Sequence, residues 1–170
     1  MQQKPVSHYM CGAIIAAAMI IFSILVYVLG YFGNQMVGYL SYLILLIGII
    51  VSVRLYGNSV DNSASFGKLF SFGFKTTALV IVIVLAFNFL FFIIFPEAKE
   101  KFFEISRQQM AEKGNTEEQI EQGIAMIQKG FWVFIILGTI FMCGIVGLVA
   151  AVIGAAITKK NPQSPFQQQA

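Results

Sequence analysis

The chain has 170 residues, 58% of them hydrophobic and 11% charged, with a formal net charge of +3. Soluble domains carry about 25% charged residues, so the composition excludes an ordinary soluble globule and points to an integral membrane protein. The basic residues are few and scattered over connectors, which excludes a nucleic-acid-binding surface.

Residues 9–32 carry no charge. A transmembrane helix needs about 20 apolar residues to cross a core of about 30 Å, so this stretch reads as the first span. It is longer than a signal-peptide core of about 7–15 residues and is expected to stay uncleaved. Gly12 and Ala16 stand one helical turn apart and form a face on which another helix can approach closely. The uncharged turn Gly33-Asn34-Gln35 predicts a tight antiparallel hairpin with a second span at 36–53. That span ends at Arg54, whose long side chain can snorkel to the headgroups.

Residues 57–65, rich in Ser, Asn and Gly, read as a loop. In the following Phe66–Lys75, Phe66, Phe70 and Phe74 share one helical face and Lys68 and Lys75 another. The pattern fits a short helix on the membrane surface or the start of the third span, and both readings stay open. The third span is expected at 76–95 and closes at Pro96. Asn88 is the most polar residue within any span. An amide in hydrocarbon is costly unless it is hydrogen-bonded. Ser23, Ser41, Ser52, Thr139 or a backbone carbonyl could partner it; the functional alternative is a ligand or ion contact.

Residues 97–129 form the long water-loving stretch and hold seven of the eight acidic residues. Helix-forming composition up to Lys113 is stopped by Gly114-Asn115, which tolerate a left-handed cap. Thr116 to Gln119 then fits a capping box. Phe102 and Phe103 mark neighbouring apolar stripes before the break, and Ile120, Ile124 and Ile127 one face after it. A helical hairpin is expected, with Phe102, Phe103, Ile120 and Ile124 as a candidate interaction surface. The fourth span is expected at 131–157, with Trp132 as an interfacial anchor. Gly147, Ala151 and Ala155, spaced by four, are its strongest helix-packing signal. Their partner is either the first span or the fourth span of a second copy. From Lys159 to Ala170 a polar tail is expected to be disordered.

The predicted fold class is therefore all-α integral membrane: a four-helix bundle of transmembrane spans in one domain, 1–158, with an extramembrane helical hairpin between the third and fourth. Basic residues close to span ends favour the side of the termini, so both termini are expected in the cytoplasm.

At this point the chain resembles the domain of unknown function 4199 family, small four-span membrane proteins found mostly in Bacteroidetes. The residues that carry the resemblance are Ser65-Phe66-Gly67-Lys68-Leu69-Phe70, Pro96, and the run from Met110 to Met126. The resemblance implies the bacterial inner membrane and a four-span architecture, and no mechanism or site residues.

No catalytic residue, metal ligand or cofactor is implied. Cys11 and Cys143 lie in different apolar spans, and His8 stands alone before the first. No nucleophile or metalloprotease motif is present. The expected role is non-enzymatic, structural or through partner contacts. Candidate partners are the bilayer, a membrane or periplasmic protein, and a second copy of the chain. The alternative is a small transporter or channel subunit acting as an oligomer, for which Asn88 is the leading polar candidate.

Overall fold

A computed structural model describes residues 5–159. They form six helices: α1 (His8–Val28), α2 (Gln35–Ser59), α3 (Phe66–Ile94), α4 (Pro96–Glu112), α5 (Glu117–Lys129) and α6 (Phe131–Ile157). Helices α1, α2, α3 and α6 are long and apolar enough to cross a membrane. The chain is an all-helical membrane protein over its described residues. Apart from Lys159, the expected polar tail lies outside them.

The boundaries depart from the sequence reading where a local signal overrode hydropathy. α1 stops at Val28, short of the expected 32, because Gly30 takes a left-handed φ of 79°. The Tyr31 amide then donates to the Val26 carbonyl at 2.9 Å and the Gly30 amide to Tyr27 at 3.1 Å. These are the two bonds that close a helix in a Schellman motif. α2 continues past Arg54 to Ser59 through Gly57, which is buried beside Thr158 and Leu69. α3 runs unbroken from Phe66, so Phe66–Lys75 is its first part and not a separate surface helix. At about 1.5 Å per residue its 29 residues span about 43 Å, longer than a hydrocarbon core of about 30 Å. The exposed Lys68 and Lys75 fall on the surplus.

The four long helices pack side by side. α1 contacts α2 and α3; α6 contacts the same two; α2 and α3 also meet, and α1 and α6 do not. The order around the assembly is therefore α1, α2, α6, α3. The main core lies towards the end that carries the termini, where Ile49, Val53, Leu69, Phe72, Ala151 and Ala155 are buried. Small residues set this packing. Gly147 lies against Thr77, and a Cβ added at Gly73 would stand 2.7 Å from the Ala151 Cβ. Gly154 faces Ile50 and Val53 of α2, and a Cβ added at Gly12 would stand 2.8 Å from Leu79 Cδ2 of α3. The stripe Gly147-Ala151-Ala155 thus meets α3 and α2 of its own chain. The first span, one of the two partners expected for it, lies on the far side. Ala16 is buried without exposure in the same core as Ile15 and Met19. Buried hydroxyls bond within their own helices: Ser52 to Gly48 O at 2.7 Å, Thr76 to Phe72 O at 2.8 Å and Thr77 to Gly73 O at 2.9 Å.

Candidate functional site

At the other end of the molecule, α4 and α5 form a hairpin. Phe95, at φ −118° and ψ 75°, breaks the chain between α3 and α4, and Pro96 opens α4 where its missing N–H costs nothing. α4 closes with a second Schellman pair: Asn115 N to Met110 O at 3.2 Å and Gly114 N to Ala111 O at 2.9 Å. Gly114 supplies the left-handed φ of 79°. Thr116 and Gln119 complete a reciprocal capping box at 3.4 and 3.0 Å, so α5 starts one residue after the turn. The two helices pass closely where Gly123 admits the Met110 side chain.

This hairpin lies across the ends of the long helices. Along one face of α4, residues one turn apart reach α1 and the turn after it. The Tyr27 hydroxyl donates to Glu97 Oε1 at 3.0 Å. The Lys101 ammonium stands 5.4 Å from the Tyr27 ring centre. Ile105 occupies the space beside Gly33, where no side chain is present to oppose it. The adjoining face joins an aromatic cluster around Phe131, the first residue of α6. Phe131 meets Phe92, Phe102 and Phe103 edge-on at 5.0, 5.7 and 5.6 Å. Such edge-to-face pairs add about 0.5–1.5 kcal/mol each beyond area burial. The Lys99 ammonium covers Phe131 at 4.8 Å.

The residues proposed from sequence as a displayed surface face inward. Phe103, Ile120 and Ile124 are buried and Phe102 is half-buried. An amphipathic stripe signals an apolar face that must be covered; here the hairpin and the helix ends cover it. What the hairpin displays instead is charge, with Glu100, Glu104, Glu117, Glu118 and Glu121 all exposed.

Beneath the hairpin the long helices part. Two open pockets, of about 320 and 460 Å3, share Ser23, Gly38, Ser41 and Asn88 as walls. The larger is bordered by Thr139 and Cys143 of α6 and by Phe102 of α4. Asn88 Nδ2 donates to Thr139 Oγ1 across 3.4 Å, a long bond to one of the partners expected from sequence. Sequence reasoning did not identify Gly38 and Gly138 as cavity walls. Glycines in an apolar run signal closeness or emptiness alike, and only the neighbours tell which. Cys11 and Cys143 are free and buried, on helices that do not touch.

Among the described residues no group of three or more His, Cys, Asp or Glu side chains is placed to hold a metal ion. Comparison with curated proteins and with solved structures gives no match. The family described as "Protein of unknown function (DUF4199)" matches residues 10–160, and the chain belongs to that family.

Proposed function

We propose that this is a non-enzymatic protein of the bacterial inner membrane that works through contacts made by its α4–α5 cap. Both termini lie in the cytoplasm, and the cap stands outside the membrane on the opposite side. A membrane or periplasmic protein docks on its charged outer face. One observation carries the reading. Phe102, Phe103 and Ile105 of α4 hold the cap to the helix ends, while Glu117, Glu118 and Glu121 in the first turns of α5 remain exposed. A rigidly seated, polar surface is what a partner of complementary charge can recognise without ordering a loop first.

Two measurements test this. A cysteine at Glu118 reacts with a membrane-impermeant maleimide in intact spheroplasts, while the native Cys11 and Cys143 stay shielded. Labelling only after permeabilisation refutes the orientation. A photoreactive residue at Gln122, one turn along the exposed face, gives a discrete cross-linked product in native membranes. Reversal of Glu117, Glu118 and Glu121 to Lys removes that product. A product unchanged by the reversal, or none at all, refutes docking on this face.

A further inference from the structure

We infer that the cavity beneath the cap is a binding site for an uncharged membrane lipid whose head carries hydroxyl or carbonyl groups. Four polar side chains, one from each long helix, stand at one level: Ser23, Ser41, Asn88 and Thr139. Counted from the cap-side ends at Val28, Gln35, Ile94 and Phe131, they lie roughly 8–12 Å deep at about 1.5 Å per residue. Their hydrogen bonding differs from that of the buried hydroxyls of the main core. Ser52, Thr76 and Thr77 each donate to their own helix. The hydroxyls of Ser23 and Ser41 have no hydrogen-bond partner among the described residues. Asn88 makes one long bond and keeps its carbonyl oxygen unused. These groups both donate and accept, which suits a hydroxyl or ester carbonyl.

The class of ligand follows from the rest of the lining. Among the described residues no Asp, Glu, Lys, Arg or His borders either pocket. A charged ligand would give up its hydration there without gaining a counter-charge. The remaining walls are largely aromatic and aliphatic, among them Phe87, Phe91, Phe134 and Met142, and match an apolar body. Pockets of this size fall within the range of about 300–1,000 Å3 found for small-ligand sites. Gly38 and Gly138 on the walls are exposed, and a Cβ added at either meets nothing within 4 Å.

Those two glycines serve the test, because a Cβ added at either starts into open space on the pocket wall. The purified protein is placed in phosphatidylethanolamine–phosphatidylglycerol vesicles containing a diacylglycerol that bears a diazirine and an alkyne. After irradiation, adducts are mapped by mass spectrometry. Wild type is expected to carry adducts on the cavity walls of α1 and α3, reduced by about fivefold or more in Gly138→Leu and in Gly38→Leu. Asn88→Leu is expected to reduce them as well, while all three variants keep the helical circular dichroism of the wild type. The same chain presented as a free fatty acid separates recognition of an uncharged head from simple partitioning, and it is expected to leave the cavity unlabelled. Equal cavity labelling by the fatty acid overturns the choice of ligand class. Adducts confined to lipid-facing side chains such as Val82 and Phe141, or undiminished by both leucines, overturn the site.

Discussion

Replacing Gly147 by alanine tests the central packing of the molecule. A Cβ at this position meets three atoms of one side chain, Thr77, with Oγ1 at 2.5 Å and Cβ at 2.9 Å. Relief must come from Thr77 or from separation of α3 and α6. Rotation of Thr77 breaks its 2.9 Å bond to Gly73 O and strands a buried hydroxyl, which costs about 1–3 kcal/mol. Separation of the helices costs about 1–3 kcal/mol as overpacking. The two routes are alternatives, so they do not add. The gain of alanine over glycine in a helix, about 1 kcal/mol, offsets part of either. A net loss of about 1–2 kcal/mol is expected. Gly144→Ala is the control, because its Cβ meets nothing within 4 Å and the alanine gain is kept. The assay is reversible unfolding in mixed detergent micelles, followed by the fluorescence of Trp132, the chain's one tryptophan. On a Thr77→Ala background Gly147→Ala should lose most of its effect, a coupling of about 1 kcal/mol. If Gly147→Ala is as stable as wild type, or if its cost is the same with Thr77 removed, the α3–α6 contact is not the one described.

Other outcomes concern the cap. Thr116→Ala removes one arm of the capping box and should cost about 1 kcal/mol, read as faster hydrogen exchange in the first turn of α5; unchanged exchange refutes the cap. Gly114→Val forces a β-branched residue to a φ of 79° and should destabilise the hairpin by about 1–2 kcal/mol, measured by limited proteolysis between α4 and α5. Tyr27→Phe removes the hydrogen bond to Glu97 and keeps the ring under Lys101. It should loosen the start of α4 by under about 1.5 kcal/mol, and protection equal to wild type at Ala98 and Lys99 would refute that role.

The spans were legible because hydrocarbon demands long apolar runs, and α6 begins at Phe131 and ends at Ile157 as read from sequence. So were the caps at Gly114 and Thr116, whose chemistry is local. What hydropathy missed was the extension of α2 to Ser59, and it left open whether Phe66–Lys75 belongs to α3, where a helix outlives its apolar stretch. The partners of the small-residue stripe were not legible. Gly147 and Ala151 announce a close approach but carry no mark of which helix approaches; that information lies in Gly73 and Thr77, far along the chain. The faces of Phe103 and Ile124 were legible as apolar and not as covered, since Phe103 is covered by Phe131 of α6 and the two arms of the hairpin pack on each other. Asn88 was conspicuous alone, whereas its level with Ser23, Ser41 and Thr139 depends on how four helices are set in depth.

The occupied stripe on α6 has a consequence for synthesis. α6 is the last described helix to leave the ribosome, and until it arrives Gly73 and Thr77 of α3 and Val53 of α2 line an unfilled trough. Chains growing side by side offer one another identical troughs and identical fillers. Correct assembly is then a race in which the filler tethered through α4 and α5 wins by local concentration. The cap tethers α6 to α3 through α4 and α5, and that tether favours the chain's own last helix over a neighbour's.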